Sequence, residues 1–415
     1  MASKTKQKQL KEMNRKKTAT AAVLVAMVGA ILAILQNRHG QLSDIRSFYG
    51  IHFSDGQHTW PFSTHTLLDS TQAVHPVEYP ALTGLVMWFF SFFIKPAEFA
   101  WGDYYRLTAS VHVLLFGLLA WYHQKLSSQK LAIIFALSPA VLYSLHRNWD
   151  IWAVLPMVIS LYQFSKNKKV SSAAWLSISI ATKFFPVVIL LPILVYFIKI
   201  DERREALRYL RNTFVFWFGI NLPFILINFR GWSYFYEFNY SRGIGSASVF
   251  DIASKLGHSI PSQSAIFLAL NLFSLVIILL FLYKQMPRIN VIQGSFFTMF
   301  AFMLFNKQYS MQYVIWLASL AILAINGVRN DIRNRVLFLY VIWQVSELLF
   351  QYTFFQNILT NYFASIGTPT SPQISASFYA VSGVIRYISA LSFASALAYF
   401  LLKNEKLDPT SVNNG

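Results

Sequence analysis

The sequence predicts an all-helical polytopic membrane protein, a bundle of about 12 transmembrane helices with juxtamembrane helices on the outer side. Three observations predict it. The 415 residues are 55% apolar, 17% aromatic and only 13% charged, with mean hydropathy +0.44, where a soluble domain carries about 25% charged residues. Apolar runs approaching the roughly 17–25 residues of a spanning helix recur along the whole chain. Most Lys and Arg, 24 of 35, fall on one side of those runs.

The runs are 18–36, 107–122, 130–145, 151–165, 170–183, 185–199, 212–229, 263–283, 290–305, 312–326, 335–353 and 377–402. One more, 80–95 (PALTGLVMWFFSFFIK), is short and begins at a proline. If it crossed the bilayer, the basic stretches KNKK (166–169) and RREALRYLR (203–211) would lie opposite the basic N-terminus. Laid along the interface, it leaves the alternation intact and both termini cytoplasmic. Cytoplasmic segments then hold 24 of the 35 Lys and Arg against seven acids, and outer segments hold ten bases and nine acids. Such a bias in short loops sets orientation, so a multi-pass plasma-membrane location follows. It also accounts for the net charge of +18 without a nucleic-acid partner. The basic head KTKQKQLKEMNRKK reads as facing anionic membrane lipid.

The organisation expected is a basic cytoplasmic N-terminus (1–17), one transmembrane domain (18–402) and a polar, disordered cytoplasmic tail (403–415). Within the domain, 37–106 forms an outer loop with juxtamembrane helices. The run after residue 17 lacks a small-residue cleavage site and is long enough to anchor, so the head does not read as a cleaved signal. No internal repeat is convincing, which counts against inverted-repeat transporter folds. The absence of cysteine excludes disulfides and thiolate metal sites.

The polar groups of the outer face gather in the first loop and at helix ends, where a lipid head group would meet them. In RHGQLSDIRSFYG (38–50), Asp44 reads as a general base for a hydroxyl proton, or as a helix-capping residue with Ser43. In HPVEYPALTG (75–84), two prolines fix the backbone around Glu78 and Tyr79. Glu78 reads as a sugar ligand or as an interfacial carboxylate. In the turn HRNWD (146–150), Arg147 and Asp150 brace the turn by pairing, or Asn148 and Asp150 face a cleft. Lys183 in ATKFFPVV (181–188) snorkels or binds phosphate as a point charge. Arg242 with the glycines and Ser246 of FNYSRGIGSASVFD (238–251) makes a phosphate-friendly loop. Lys307 and Gln308 in FNKQYSMQYVIW (305–316) put a cation and an amide at another outer helix end. If Lys183, Arg242 and Lys307 converge they form an anion site; otherwise each is an ordinary interfacial residue.

Two charges lie inside spans, Glu347 and Arg386. Unpaired, each costs about 2.5–3.5 kcal/mol on insertion scales, so they are expected to pair or face a cavity. Seven of nine His are outside: His39, His52, His58, His65, His75, His146 and His258. The cluster HFSDGQH matches no defensible ligand spacing, and no metal site is assigned.

Taken in order, SDIRSFYG, VEYPALTGL, NWDIWAV, ATKFFPVVILLP and NKQYSMQYVIWL resemble the integral-membrane GT-C glycosyltransferases. The nearest resemblance is to glycosyltransferase family 87, the polyprenyl-phosphate-mannose-dependent α-mannosyltransferases of actinobacteria. The pieces span residues 43 to about 317. Met311 stands where the late motif often has proline, and Ala81 where the EYP stretch often has a second one. The resemblance implies inverting sugar transfer, most often of mannose, from a polyprenyl-phosphate-sugar donor to a glycolipid or glycan acceptor. It implies Asp44 as the base, with Lys183, Arg242 and Lys307 holding the leaving phosphate, and no cofactor. It also implies juxtamembrane helices after the first span, where charge counting places 80–95. The competing readings are a transporter or flippase of a polyprenyl-linked lipid and a noncatalytic membrane scaffold.

Overall fold

Helix is the only regular structure among the described residues. A computed structural model describes residues 20–37, 43–53, 58–63, 76–258, 264–286, 288–365 and 374–403, with the side chains of 264 and 360–365 left out. The basic head, the tail beyond 403, His39, His65, His75 and residues 54–57 of HFSDGQH lie outside them. Four helices are long and apolar enough to cross a membrane: Arg203–Ile227, Ala265–Gln285, Asn330–Leu359 and Ala376–Lys403. Shorter apolar helices accompany them, among them Thr20–Gln36, Ile151–Ser165 and Val291–Leu304. The twelve expected runs are thus helical but unequal in length. A helix of 15 residues covers only about 22 Å of a hydrocarbon core about 30 Å thick.

The chain divides into two compact units, residues 1–186 with 211–238, and residues 187–210 with 239–415. In the first, α1 (Thr20–Gln36) precedes the short α2 (Asp44–His52) and α3 (Ala81–Ser91). Eleven residues make α3 about 17 Å long, well short of a hydrocarbon core about 30 Å thick. Then come α4 (Ala100–Leu126), α5 (Gln129–Ala136), α6 (Pro139–Ser144), α7 (Ile151–Ser165) and α8 (Lys169–Thr182). The expected single run 130–145 is broken in two. Ser138 precedes Pro139 and sits at φ −62°, ψ 113°, because the proline ring pushes its predecessor out of the helical region. Small polar residues weld α7 to α8. The hydroxyls of Ser160 and Ser172 each donate to the other's carbonyl at 2.8 and 2.9 Å, and Ser179 donates to the Ala153 carbonyl at 2.6 Å. Such residues let helix backbones approach closely.

The basic stretch 203–211 does not form a loop. It is the first part of α10 (Arg203–Ile227), and the unit boundary falls within this helix. Next, α11 (Phe229–Ser241) carries Gly231 against the backbone of Phe62. A Cβ at Gly231 would lie 1.8 Å from the Phe62 carbonyl oxygen. That same carbonyl accepts from Asn228 Nδ2 at 3.0 Å.

The second unit begins within a 3₁₀ turn (Phe185–Ile189) that leads into α9 (Leu190–Lys199). After α10 and α11 come α12 (Val249–Lys255), α13 (Ser264–Gln285), α14 (Val291–Leu304), α15 (Val314–Ile325), α16 (Asn330–Ser365) and α17 (Ala376–Lys403). A reciprocal Asn290–Gln293 capping box starts α14. Every residue of α15 is buried, and all but Ser319 are apolar. Polar pairs bridge α16 and α17: Ser346 with Ser389 at 2.5 Å and Thr353 with Ser382 at 2.7 Å. Between these two lies the expected partnership of buried charges. Arg386 Nε is 2.8 Å from Glu347 Oε2, and both side chains are 0% exposed.

Gly231→Ala is expected to lower stability by roughly 1–3 kcal/mol, since the obstacle is backbone that cannot rotate away. Thermal unfolding in detergent reads it as a lowered midpoint, while Gly102→Ala, where an added Cβ meets nothing within 4 Å, serves as the neutral control.

Candidate functional site

The turn His146–Asp150 is buried at every residue. It carries five backbone units and four polar side chains that must find partners away from water. The start of α2 supplies several. Ser43 Oγ donates to the carbonyls of His146 and Arg147 at 2.9 and 3.1 Å, and the Asp44 amide donates to the Arg147 carbonyl at 2.9 Å. Ser43 occupies the N-cap position without making a cap bond. Its hydroxyl serves the turn instead of the helix. His146 reaches the other way, 2.9 Å from the Ala30 carbonyl of α1.

Asp44 is therefore pinned by its backbone while its carboxylate points at the turn's side chains. Asn148 Nδ2 donates to Asp44 Oδ2 at 2.8 Å and to the Tyr79 hydroxyl at 2.8 Å. Asn148 is itself locked, because its Oδ1 accepts from the Trp149 amide at 2.5 Å. The other carboxylate oxygen, Oδ1, takes no hydrogen bond from the described residues. Asp44 is half-buried, where Asn148 and Asp150 are each 3% exposed. Burial pushes the Asp44 carboxyl up to about 6, against the pull of Lys183 and the Asn148 hydrogen bond, with the Asp150 and Glu78 charges adding to the rise. A carboxylate with one oxygen held, one oxygen open and a pKa near neutrality has the properties of a general base.

The face of α2 opposite Asp44 explains its placement. Ile45 and Tyr49, four residues apart, are buried, and Tyr49 stacks on Tyr104 of α4 at 4.8 Å. Phe48 then packs edge-on against Tyr79 (5.1 Å) and Trp149 (6.0 Å), walling one side of the carboxylate cluster. Thr83 Oγ1 donates to the Thr182 carbonyl at 2.5 Å and so fixes α3 beside Lys183.

Lys183 is not the lone cation that its position in sequence suggests. Its Nζ lies 3.0 Å from Asp150 Oδ1 and 4.3 Å from the centre of the Tyr79 ring. The bracing partner of Asp150 is thus Lys183, while the Arg147 guanidinium lies 4.9 Å from the Tyr143 ring. Glu78 is partly exposed, and its charge is felt by both Asp44 and Tyr234. Asp44, Glu78, Tyr79, Asn148, Asp150 and Lys183, drawn from four sequence motifs, thereby form one electrostatic cluster in the first unit.

The remaining candidates meet in the second unit. Lys307 Nζ donates to the carbonyls of Tyr240 and Arg242 at 2.9 and 2.7 Å, and Gln308 Nε2 donates to the Gly243 carbonyl at 3.0 Å. The Gly245 amide returns a bond to the Lys307 carbonyl at 2.8 Å. Gly245 is needed for this approach, because a Cβ there would lie 1.7 Å from Gln308 Oε1. Two of the three Lys307 protons are engaged, and no described side chain takes the third. Partial burial, and then the Arg242 charge, pull the Lys307 ammonium below its ordinary value. Two cations held this close favour an anion between them. Ser246 is exposed on the same loop.

Sequence reasoning missed Ala247. It holds φ +71°, a conformation costing on the order of 1–3 kcal/mol outside glycine. Its amide is within 2.9 Å of Asp251 Oδ2 and 3.0 Å of the Tyr379 hydroxyl. No local signal marks such a residue, since its partners come from α12 and α17. Of the histidine cluster, His52 stacks on Phe48 at 5.6 Å and His58 Nδ1 is 3.1 Å from Ser91 Oγ. Among the described residues no group of three His, Asp or Glu could hold a metal ion.

Lys183→Met removes the ammonium 3.0 Å from the Asp150 carboxylate, whose side chain is 4% exposed. It is expected to cost about 3–5 kcal/mol, with much of the loss recovered in Lys183→Met/Asp150→Leu. Denaturant unfolding of the single and double variants measures this. The chain matches no protein-family model and no curated protein.

Proposed function

We propose that the protein is a glycosyltransferase of the outer membrane face that uses a polyprenyl-phosphate sugar, mannose foremost, with Asp44 as its general base. The observation that carries this reading is the Asp44 carboxylate: Oδ2 fixed by Asn148, Oδ1 without a partner among the described residues, and its pKa raised to about 6 by burial. The ordered resemblance to the GT-C enzymes of family 87 supports it. So do the positions of the candidate residues, which lie in turns and at helix ends rather than in helix interiors. The twelve-span topology, with both termini cytoplasmic and the Asp44 cluster outside, belongs to the same proposal and rests on the Lys/Arg bias.

In this reading Asp44 Oδ1 takes the proton of an acceptor hydroxyl as its oxygen bonds to the anomeric carbon. The bond from that carbon to the phosphate oxygen breaks, and the polyprenyl phosphate leaves with the electron pair. Attack opposite the leaving group inverts the anomeric centre. The leaving phosphate is acidic enough to need no proton, but its charge must be held. Asn148 orients the base, and Arg242, Lys307 and the amide of Gln308 are the phosphate ligands that the resemblance to family 87 suggests. Lys183, neutralised by Asp150, acts chiefly on the basicity of Asp44. Glu78 and Tyr79 are proposed to contact sugar hydroxyls. The acceptor is proposed to be a glycolipid or glycan.

One observation favours the transporter reading. The helical run 129–144 is broken, and α9 and α15 begin in 3₁₀ turns, features of discontinuous transport helices. Transfer from a synthetic polyprenyl-phosphate-mannose into a membrane-lipid extract separates the two. Parent protein is expected to transfer mannose, and Asp44→Asn to be slower by about 10²–10⁴-fold. Equal transfer by both removes Asp44 as base, and donor binding without turnover by the parent favours transport. Only the ionised carboxylate accepts a proton, so the parent rate is expected to rise with pH through about 6 and then level. Lys183→Met removes a charge that lowers this pKa, and its limb is expected at higher pH.

A further inference from the structure

The ion pair of Glu347 and Arg386 lies in the interior of the second unit and touches none of the candidate residues directly. Yet its guanidinium reaches both segments that carry them. Arg386 Nη1 donates to the Ala247 carbonyl at 3.2 Å and to the Tyr309 carbonyl at 3.4 Å. Ala247 closes the loop that starts at Arg242, and Tyr309 is two residues past Lys307. The outer ends of the same segments are joined by Lys307 and Gln308 to the carbonyls of residues 240–243. Glu347 holds Arg386 through Nε, and its second oxygen accepts from Trp343 Nε1 at 3.1 Å. The Tyr309 ring lies 3.8 Å from the guanidinium carbon.

We propose that Arg386, locked by Glu347, is a positioning residue for a phosphate-ester site at Arg242 and Lys307, fixing the spacing of the two backbone segments that present them. Stability alone gives a weak reason for such a pair, because apolar residues of similar volume often replace a buried ion pair without loss. What an apolar pair cannot do is donate to one carbonyl on each segment. Ala247 makes this donation consequential: it sits at φ +71°, so the loop keeps its course only while its amide and carbonyl are both held. This inference rests on the phosphate-binding part of the proposed function and not on Asp44.

The test uses the full chain in detergent and farnesyl monophosphate as probe, with inorganic phosphate as a competitor. Glu347→Leu/Arg386→Met is expected to keep the parent's helical content and thermal midpoint. Its affinity for farnesyl monophosphate is expected to fall about tenfold, the worth of one hydrogen bond to a charged group. Lys307→Met added to that double variant is expected to weaken binding little further, since the contact is already lost. In sugar transfer the double variant raises KM for the donor and leaves kcat within about twofold. Arg386→Lys is the second arm: it keeps the charge for Glu347 but loses the fork, and amide exchange across 243–248 and 306–310 is expected to quicken. Unchanged affinity in the double variant, or exchange in Arg386→Lys equal to the parent's, overturns the proposal. Failure of the parent to bind the probe overturns it too. Competition by inorganic phosphate at equal strength would assign the site to free phosphate and sink the lipid-linked donor. Binding lost in the variant while the parent transfers no sugar would retain the positioning role and reject the transferase.

Discussion

Five consecutive buried residues, His146–Asp150, impose the constraint on which the first unit depends. A turn of polar residues out of water must have its hydrogen bonds supplied by protein. Each bond it makes draws in a different part of the chain: Ala30 from α1, Ser43 and Asp44 from α2, Tyr79 from the segment before α3, and Lys183 from the end of α8. The same demand that makes the turn foldable therefore assembles the carboxylates. Asp44 is placed by its amide, which serves Arg147, and its side chain accepts from Asn148.

The electrostatics follow from that assembly. Three carboxylates, Asp44, Asp150 and Glu78, share one region with the ammonium of Lys183. Asp150 has the close contact with the ammonium and Asp44 feels it from farther off, so burial dominates at Asp44 and raises its pKa. Asp44 and Asp150, 106 positions apart in sequence, thus sit in different environments: one carboxyl is raised toward neutrality by burial, and the other is paired with an ammonium.

The second unit solves a comparable problem by other means. Its helices α16 and α17 are stitched by hydroxyl pairs on either side of a fully buried ion pair. That pair is satisfied partly by carbonyls outside the two helices, which links the helix packing to the loops at the Lys307 end. Gly245 permits the closest approach between those loops, and Ala247 bears the strain of the return.

The sequence by itself determined much of the architecture. Helices 151–165 and 169–182 follow directly from apolar runs that end in the KNKK turn. The run 80–95 is helical over only the eleven residues of α3, and the pairing of Glu347 with Arg386 follows from the cost of isolated charge in an apolar span. Residue type and motif order picked out Asp44 in one motif and Asn148 and Asp150 in another. Only the tertiary structure decided how they bond to one another and to Lys183. Lys183 and Asp150 lie 33 positions apart, and Asn148 and Asp44 lie 104 apart, distances at which sequence periodicity carries no information. Partner choice among buried polar groups is a competition for a few donors, and it is settled by where the helix ends meet.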